Sequence, residues 1–291
     1  MAARMCSILF PVDFSNRCVL AARHVKTWVE RFGAALNTLH VIDPNALGYP
    51  ADLSDDFLYN ELPDLIRKRT ADLKYFSDQY FGEDVAVPTV LGGGTAEEIE
   101  HFAANKKIDL IMLPRNHQNI GSRFLHDSLT AKLLERCTAA VWTTEHVAVA
   151  KSTSLNNILC AVHFDEDVTI DSQHYRILEH LQELVSVFHA KVTFLQVVDK
   201  PQPTTVDTLV ELNTLSEDNP WLTQARQQLG DSAAFVMRSG DVIAAIKEAA
   251  GETAADLIVV GRTRPETIGL GIQGRILKID HAVNCPVFSI R

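Results

Sequence analysis

The residues best suited to chemistry gather near the end of the chain. Gly261 closes an apolar run, Arg262 and Arg264 follow it, and Gly274-Arg275 come a little further on. Guanidinium forks in such a place can hold a phosphate or a carboxylate where main-chain amides would otherwise do so. The same charges can equally be solvated and pair with Glu266 and Asp280. Two histidine groups invite a metal reading: His117 and His126 with Asp127, and His163 before Asp165, Glu166 and Asp167. Neither has the H-x3-H or H-E-x-x-H spacing that sets two ligands on one helix face, so no metal site is expected. Gly92-Gly93-Gly94 lacks the Lys-Ser/Thr of a phosphate-binding Walker loop and reads as a turn into a helix. No nucleophile elbow, triad spacing or metal-activating cluster marks a catalytic machine, so no enzyme is expected.

The frame that must position these residues is written twice. Ile8-Leu9-Phe10-Pro11-Val12-Asp13-Phe14 returns as Ile158-Leu159-Cys160-Ala161-Val162-His163-Phe164, and Asp109-Leu110-Ile111-Met112-Leu113-Pro114 returns as Asp256-Leu257-Ile258-Val259-Val260-Gly261. Paired anchors at nearly one offset imply two copies of a domain, placed at 1–148 and 149–291.

Within the first copy, strands are expected at Ser7–Val12, Ala35–Val41, Val85–Val90, Leu110–Leu113 and Ala139–Thr143. Helices are expected near Asn16–Phe32, Asp56–Phe81, Ala96–Asn105 and Arg123–Arg136. Val19, Ala22, Val25 and Val29 recur at spacings of three and four, which puts them on one helix face. Ser15 is a candidate cap for that helix, and Thr95 before Glu97 and Glu98 suits the start of the third. The second copy repeats the scheme. Its strands fall at Asn157–Val162, Lys191–Val198, Ala233–Met237, Leu257–Val260 and Pro286–Ile290. Its helices fall at Val168–Phe188, Thr205–Leu229 with a break near Pro220, Val242–Ala250 and Arg275–Ala282. The strands are continuous apolar runs alternating with helices, as in parallel sheets buried on both faces. Each half is therefore read as α/β, with a five-stranded parallel sheet flanked by helices and a ligand crevice at the carboxyl ends of its strands. Asp13, His163, Pro114 and Gly261 fall at such ends. The insert Pro44–Phe57 is long enough to cover a cleft, or to be a surface loop.

Composition narrows the function classes. Apolar residues make up 46% of the chain, which suits globular domains, and no run is long enough to span a bilayer. Five cysteines without C-x-x-C spacing read as buried thiols of a cytoplasmic protein, with Cys6 and Cys160 in the core. A net charge of −10 argues against general nucleic-acid binding.

At Ile8–Ser15, Leu39-His40-Val41-Ile42-Asp43, Ala96-Glu97-Glu98-Ile99 before Asp109-Leu110-Ile111, Asp256–Gly261 and Cys285-Pro286-Val287, the chain resembles the universal stress protein family in its tandem form. The resemblance implies two Rossmann-like domains of the adenine nucleotide alpha hydrolase type. It also implies an internal pseudo-dimer in which Ala139–Thr143 meets Pro286–Ile290. Nucleotide-binding relatives carry G-x-x-G-x9-G-[ST] after the fourth strand, an amide nest for phosphates. By that resemblance Asp13 and Val41 would meet the adenosine end of a ligand, and Ser128 is the surviving hydroxyl. Pro114, His117 and Asp127 stand where the first half should carry glycines. In the second half Gly261 and Gly274 match glycines, Arg264 and Arg275 replace a glycine and the hydroxyl, and a one-residue shift would instead put Gln273 and Gly274 there. His163 replaces the aspartate equivalent to Asp13.

The candidate binding residues are thus Asp13, Val41, Ser128, Gly261, Arg264, Gly274 and Arg275. The expected function is a non-catalytic, small-ligand-sensing or interaction module of a stress response, with degenerate nucleotide loops. The alternative is a protein that binds ATP or another adenine nucleotide, with slow hydrolysis left open. A small anion or nucleotide is the expected partner, with no cofactor assigned and neither nucleic acid nor membrane expected.

Overall fold

The computed structural model describes residues 5–44, 61–115, 128–144, 153–162, 172–198, 220–262 and 271–291. These residues divide into two compact units, the first within 5–144 and the second within 153–291.

In the first unit β1 (Ser7–Pro11), α1 (Asn16–Phe32), β2 (Ala35–Ile42), α2 (Leu62–Phe81), β3 (Ala86–Gly92), α3 (Thr95–Asn105), β4 (Leu110–Leu113), α4 (Leu129–Arg136) and β5 (Ala140–Thr143) alternate along the chain. The strands lie in the order β3-β2-β1-β4-β5, and every neighbouring pair is parallel. In the second unit β6 (Asn157–Val162), α5 (Ser172–Phe188), β7 (Lys191–Val198), α6 (Pro220–Leu229), β8 (Ala233–Ser239), α7 (Val242–Glu252), β9 (Leu257–Gly261), α8 (Gly271–Ala282) and β10 (Val287–Ile290) follow the same plan. A short 3-10 turn at Gly230–Ser232 leads into β8. Their order is β10-β9-β6-β7-β8, again all parallel.

Helices cover both faces of each sheet, so the central strands carry apolar side chains throughout. Leu110, Ile111, Met112 and Leu113 are all buried, as are Leu257, Ile258, Val259 and Val260. Trp28, Trp142 and Phe10 fill the first core, and Trp221, Phe194 and Phe288 the second. A carboxylate staples each sheet at the amino end of its strands. Asp109 Oδ2 accepts the amides of Cys6 and Ser7 at 3.0 and 2.9 Å, and Asp256 Oδ2 accepts those of Asn156 and Asn157 at 2.8 and 3.0 Å. Each half also ends its first helix with a left-handed residue, Gly33 (φ 62°) and His189 (φ 57°).

Local expectations are corrected at three places. Ser15 occupies the cap position of α1, but its side chain makes no capping bond; its Oγ instead accepts from Arg17 Nε at 3.5 Å. Gly94, not Thr95, is the cap of α3, and Thr95 is the first helical residue. Cys6 is exposed, since it precedes β1 rather than lying in it, whereas Cys160 is fully buried. The parts of the expected helices at 56–60, 123–127, 168–171 and 205–219, and insert residues 45–57, lie outside the described residues.

Candidate functional site

Strand order decides where a ligand can sit. In the first half, β1 connects towards β2 on one side while β4 lies on its other side, so the loops leaving β1 and β4 diverge. At that point a cleft of about 220 Å³ opens, lined among others by Val12, Asp13, Arg17, Leu39, His40, Val41, Thr95, Leu113, Pro114, Ser128 and Thr130. Asp13, Val41 and Ser128, all three first-half candidates, border it together.

Asp13, two residues beyond β1, makes a tight turn of its own. Its Oδ1 accepts the Ser15 amide at 2.9 Å and the Cys18 thiol at 3.0 Å, and its Oδ2 accepts the Arg17 guanidinium at 3.1 Å. Partial burial works against the charge. Hydrogen bonds from Cys18 and Ser15 and the Arg17 cation outweigh it and hold the carboxyl below its ordinary range. The Cys18 thiol is pushed the other way, to about 12, by burial and by Asp13, so it stays protonated and unreactive.

Phe14, next in the chain, adopts φ 59°, a costly conformation for a large L residue. Its ring lies 4.7 Å from that of His40 and 6.2 Å from that of Phe76, with the Arg69 guanidinium 5.6 Å from its centroid. This stack holds the turn. It also orients His40, whose Nδ1 sits 2.7 Å from the Val12 carbonyl oxygen. That oxygen can only accept, so Nδ1 carries the hydrogen and Nε2 keeps a free lone pair. Burial lowers the His40 pKa more than the Val12 bond raises it, which leaves the ring neutral at pH 7.

Ser128 caps α4, with its Oγ accepting the Ala131 amide at 3.2 Å. The surviving hydroxyl of the phosphate motif is therefore engaged by its own helix. Pro114 offers no amide hydrogen where a nest would need one. At these two positions the described walls therefore offer no amide nest for phosphates.

The second half differs at the matching place. Gly261 ends β9, and a β-carbon there would lie 3.1 Å from Ile177 Cδ1 and 3.2 Å from Gln173 Cδ, both on α5. Its smallness serves a close approach of helix to strand. The Gln173 amide donates to the Arg262 carbonyl oxygen and, at 3.3 Å, to that of Ile290. Arg262 itself is buried, and its amide is bonded to Ile290. Gly274 falls in the first turn of α8 and Arg275 follows it, exposed. Arg264, Glu266, His117, His126, Asp127, His163, Asp165, Glu166 and Asp167 lie outside the described residues. Among the described residues no three His, Cys, Asp or Glu side chains converge as a metal site, and no helix is long and apolar enough to cross a membrane.

Sequence reasoning missed Arg17, His40, Thr95 and Thr130. Arg17 was detectable as the partner four residues after Asp13, and His40 as the polar member of an apolar strand.

The profile of the universal stress protein family matches residues 5–144 and again residues 156–289, so the chain belongs to that family in tandem form. A universal stress protein from Archaeoglobus fulgidus DSM 4304 is 16% identical, with a TM-score of 0.69 over 99% of this chain and 97% of its own. Two structures from Pseudomonas aeruginosa, a putative universal stress protein of strain UCBPP-PA14 and a functionally unknown protein of strain PAO1, are each 15% identical. Their TM-scores are 0.57 and 0.56; each match covers 98% of this chain, and 93% and 92% of the respective proteins. These likenesses establish the fold. No curated protein matches the sequence.

Proposed function

We propose that the chain is a non-catalytic sensor of a small ligand in a stress response, with the ligand held in the first-half cleft. The observation that carries this reading is the cleft itself, at the switch point of the sheet, where Asp13, Arg17, His40 and Ser128 converge on one volume. A non-catalytic role is supported by the state of these groups. Asp13 is committed to its own turn, His40 is neutral and bonded to the main chain, and Cys18 is locked as a thiol. A cytoplasmic setting accords with five free cysteines.

A second reading, adenine-nucleotide binding, is favoured by one feature. Asp13 and Val41, the positions the family resemblance assigns to the adenosine end, border the same cleft as Ser128 at the start of α4. Mass spectrometry of small molecules released from denatured protein tests both readings, together with calorimetry using ATP, ADP and AMP. A co-purified adenine nucleotide supports the second, a different ligand supports the first alone, and no ligand with no measurable affinity overturns the cleft as a binding site.

A further inference from the structure

We infer that Arg17, in the first turn of α1, is the oxyanion contact of the first-half cleft, so that the cleft prefers a small ligand with an anionic group beside a hydrogen-bond donor. On binding, the guanidinium passes from Asp13 to the anion, and Asp13 Oδ2 takes the donor. The inference deepens, and rests on, the reading of that cleft as a ligand site.

Asp13 divides its oxygens between two tasks. Oδ1 is fixed inside the turn by the Ser15 amide and the Cys18 thiol. Oδ2 meets the Arg17 guanidinium at 3.1 Å, in a half-exposed pair. Such a pair contributes from nothing to about 1 kcal/mol, so a ligand separates it at little cost. The bonds to Oδ1 keep the carboxylate in place meanwhile. Both partners line the cleft. Oδ2 suits a ligand hydroxyl or amine, and the guanidinium fork suits phosphate or carboxylate oxygens.

Charge decides what the cleft admits. The bonds to Asp13 hold its carboxyl ionised at neutral pH, and that charge by itself repels an oxyanion. Among the described residues that line the cleft Arg17 is the one cation, since His40 is neutral. It offsets Asp13 and leaves the helix ends to set the field. Arg17 is the second residue of α1, Thr95 the first of α3 and Leu129 the first of α4, so three positive helix ends open on the same volume. Pro114, by contrast, offers an anion no amide hydrogen. Recognition of the anion therefore falls to the α1 side of the cleft, and to Arg17.

The matching position of the second half carries no charge. Both α1 and α5 have seventeen residues with a buried histidine at the ninth, His24 and His180. In that register Arg17 corresponds to Gln173, whose amide bonds the Arg262 and Ile290 carbonyls. The arginine is a property of the first copy and not of the shared fold.

The test uses the full chain, with adenosine and AMP as probes that differ by one phosphate. Calorimetry should show the parent binding AMP about tenfold more tightly than adenosine. Arg17→Gln should remove that preference and turn it towards adenosine, because the Asp13 charge is then unbalanced. A parent that favours AMP by less than about threefold, or an Arg17→Gln chain that keeps the parent's preference within about threefold, overturns the inference. If neither probe binds, the reading of the cleft as a nucleotide site falls, and the anion contact is judged alone with inorganic phosphate. Millimolar phosphate should then shift the NMR signal of the Arg17 Nε–H further than that of Arg67, an exposed arginine paired with Asp64. An Arg17 signal that moves no further than that of Arg67 refutes the contact.

Discussion

Helices α1 and α5 perform the same structural task but bond differently in their first turns. Both lay a buried histidine on a terminal strand, His24 with Trp142 at 5.2 Å between ring centroids and His180 with Phe288 at 5.6 Å. At the opposite end they part. Arg17 is drawn to an acidic turn at the end of β1, and Gln173 is drawn to carbonyls at the ends of β9 and β10. Duplicated domains keep whatever fixes the core, while each copy is free to change where a ligand would sit. The comparison teaches that a glycine matching a binding motif can also serve the close packing of a helix on a strand.

What the halves share should give the largest effect. Burial, with a nearby arginine as a smaller contribution, lowers the His24 and His180 pKa values from the ordinary 6.5 to about 4. Above pH 6.5 both histidines are neutral in folded and unfolded chains, and neither affects stability. As pH falls from 6.5 towards 4 the unfolded chain takes up protons that the folded one refuses, so stability drops, and the loss levels off below pH 4. Two and a half units correspond to roughly 3 kcal/mol per histidine. Urea unfolding at pH 7 and pH 4.5 should show it, and His24→Phe and His180→Phe should each flatten the curve by a similar amount. Flattening by only one of them would break the symmetry claimed for the two helices.

The next effect separates the halves. Gly261→Ala sets a methyl group 3.1 Å from Ile177 Cδ1 and 3.2 Å from Gln173 Cδ, so both side chains must shift by a few tenths of an ångström, at a cost of about 1 kcal/mol. Gln173→Ala removes the donor to the Arg262 carbonyl, while the Ile290 carbonyl keeps the Arg262 amide, and should cost a similar amount. Thermal melts of both variants should fall clearly below that of the parent. An unchanged melting temperature for Gln173→Ala would show that the bridge across β9 and β10 contributes nothing.

These differences were unevenly legible in the sequence. Asn16–Phe32 was readable from apolar residues at spacings of three and four, although Val19 and Val29 are only partly buried and the core stripe runs through Cys18, Ala21, Val25, Trp28 and Phe32. The grouping of Asp13, Val41 and Ser128 was also readable, since strand ends in a doubly wound sheet converge on one crevice. The role of Gln173 was not. The strand anchors repeat at about 147–150 residues, which pairs Arg17 with a position near Asp167, whereas α1 and α5 align only after a few further residues inserted behind β6. Gly261 likewise read as a nest residue, because sequence does not reveal which helix lies against a glycine.

A comparable loss is expected at the start of α4. Ser128→Ala deletes the acceptor for the Ala131 amide and should destabilise the first half by about 1 kcal/mol. Guanidinium unfolding is sensitive enough to measure it. If the cleft binds through that hydroxyl as well, the variant should lose more affinity than its stability change accounts for.

Arg17→Ala should have the least effect on stability and is the sharpest contrast with Gln173→Ala at the matching position. The Arg17–Asp13 pair is half exposed, with side-chain accessibilities of 37% and 51%, and such pairs contribute from nothing to about 1 kcal/mol. Asp13 keeps its bonds to Ser15 and Cys18 when the arginine is gone, so the turn should persist. The expected result is a melting temperature close to that of the parent, with a rise in the Asp13 pKa as the Arg17 cation is lost, measurable by NMR titration of the carboxyl carbon. A large loss of stability would mean that Arg17 holds strand ends together as Gln173 does, and the two helices would then differ in sequence only, not in task.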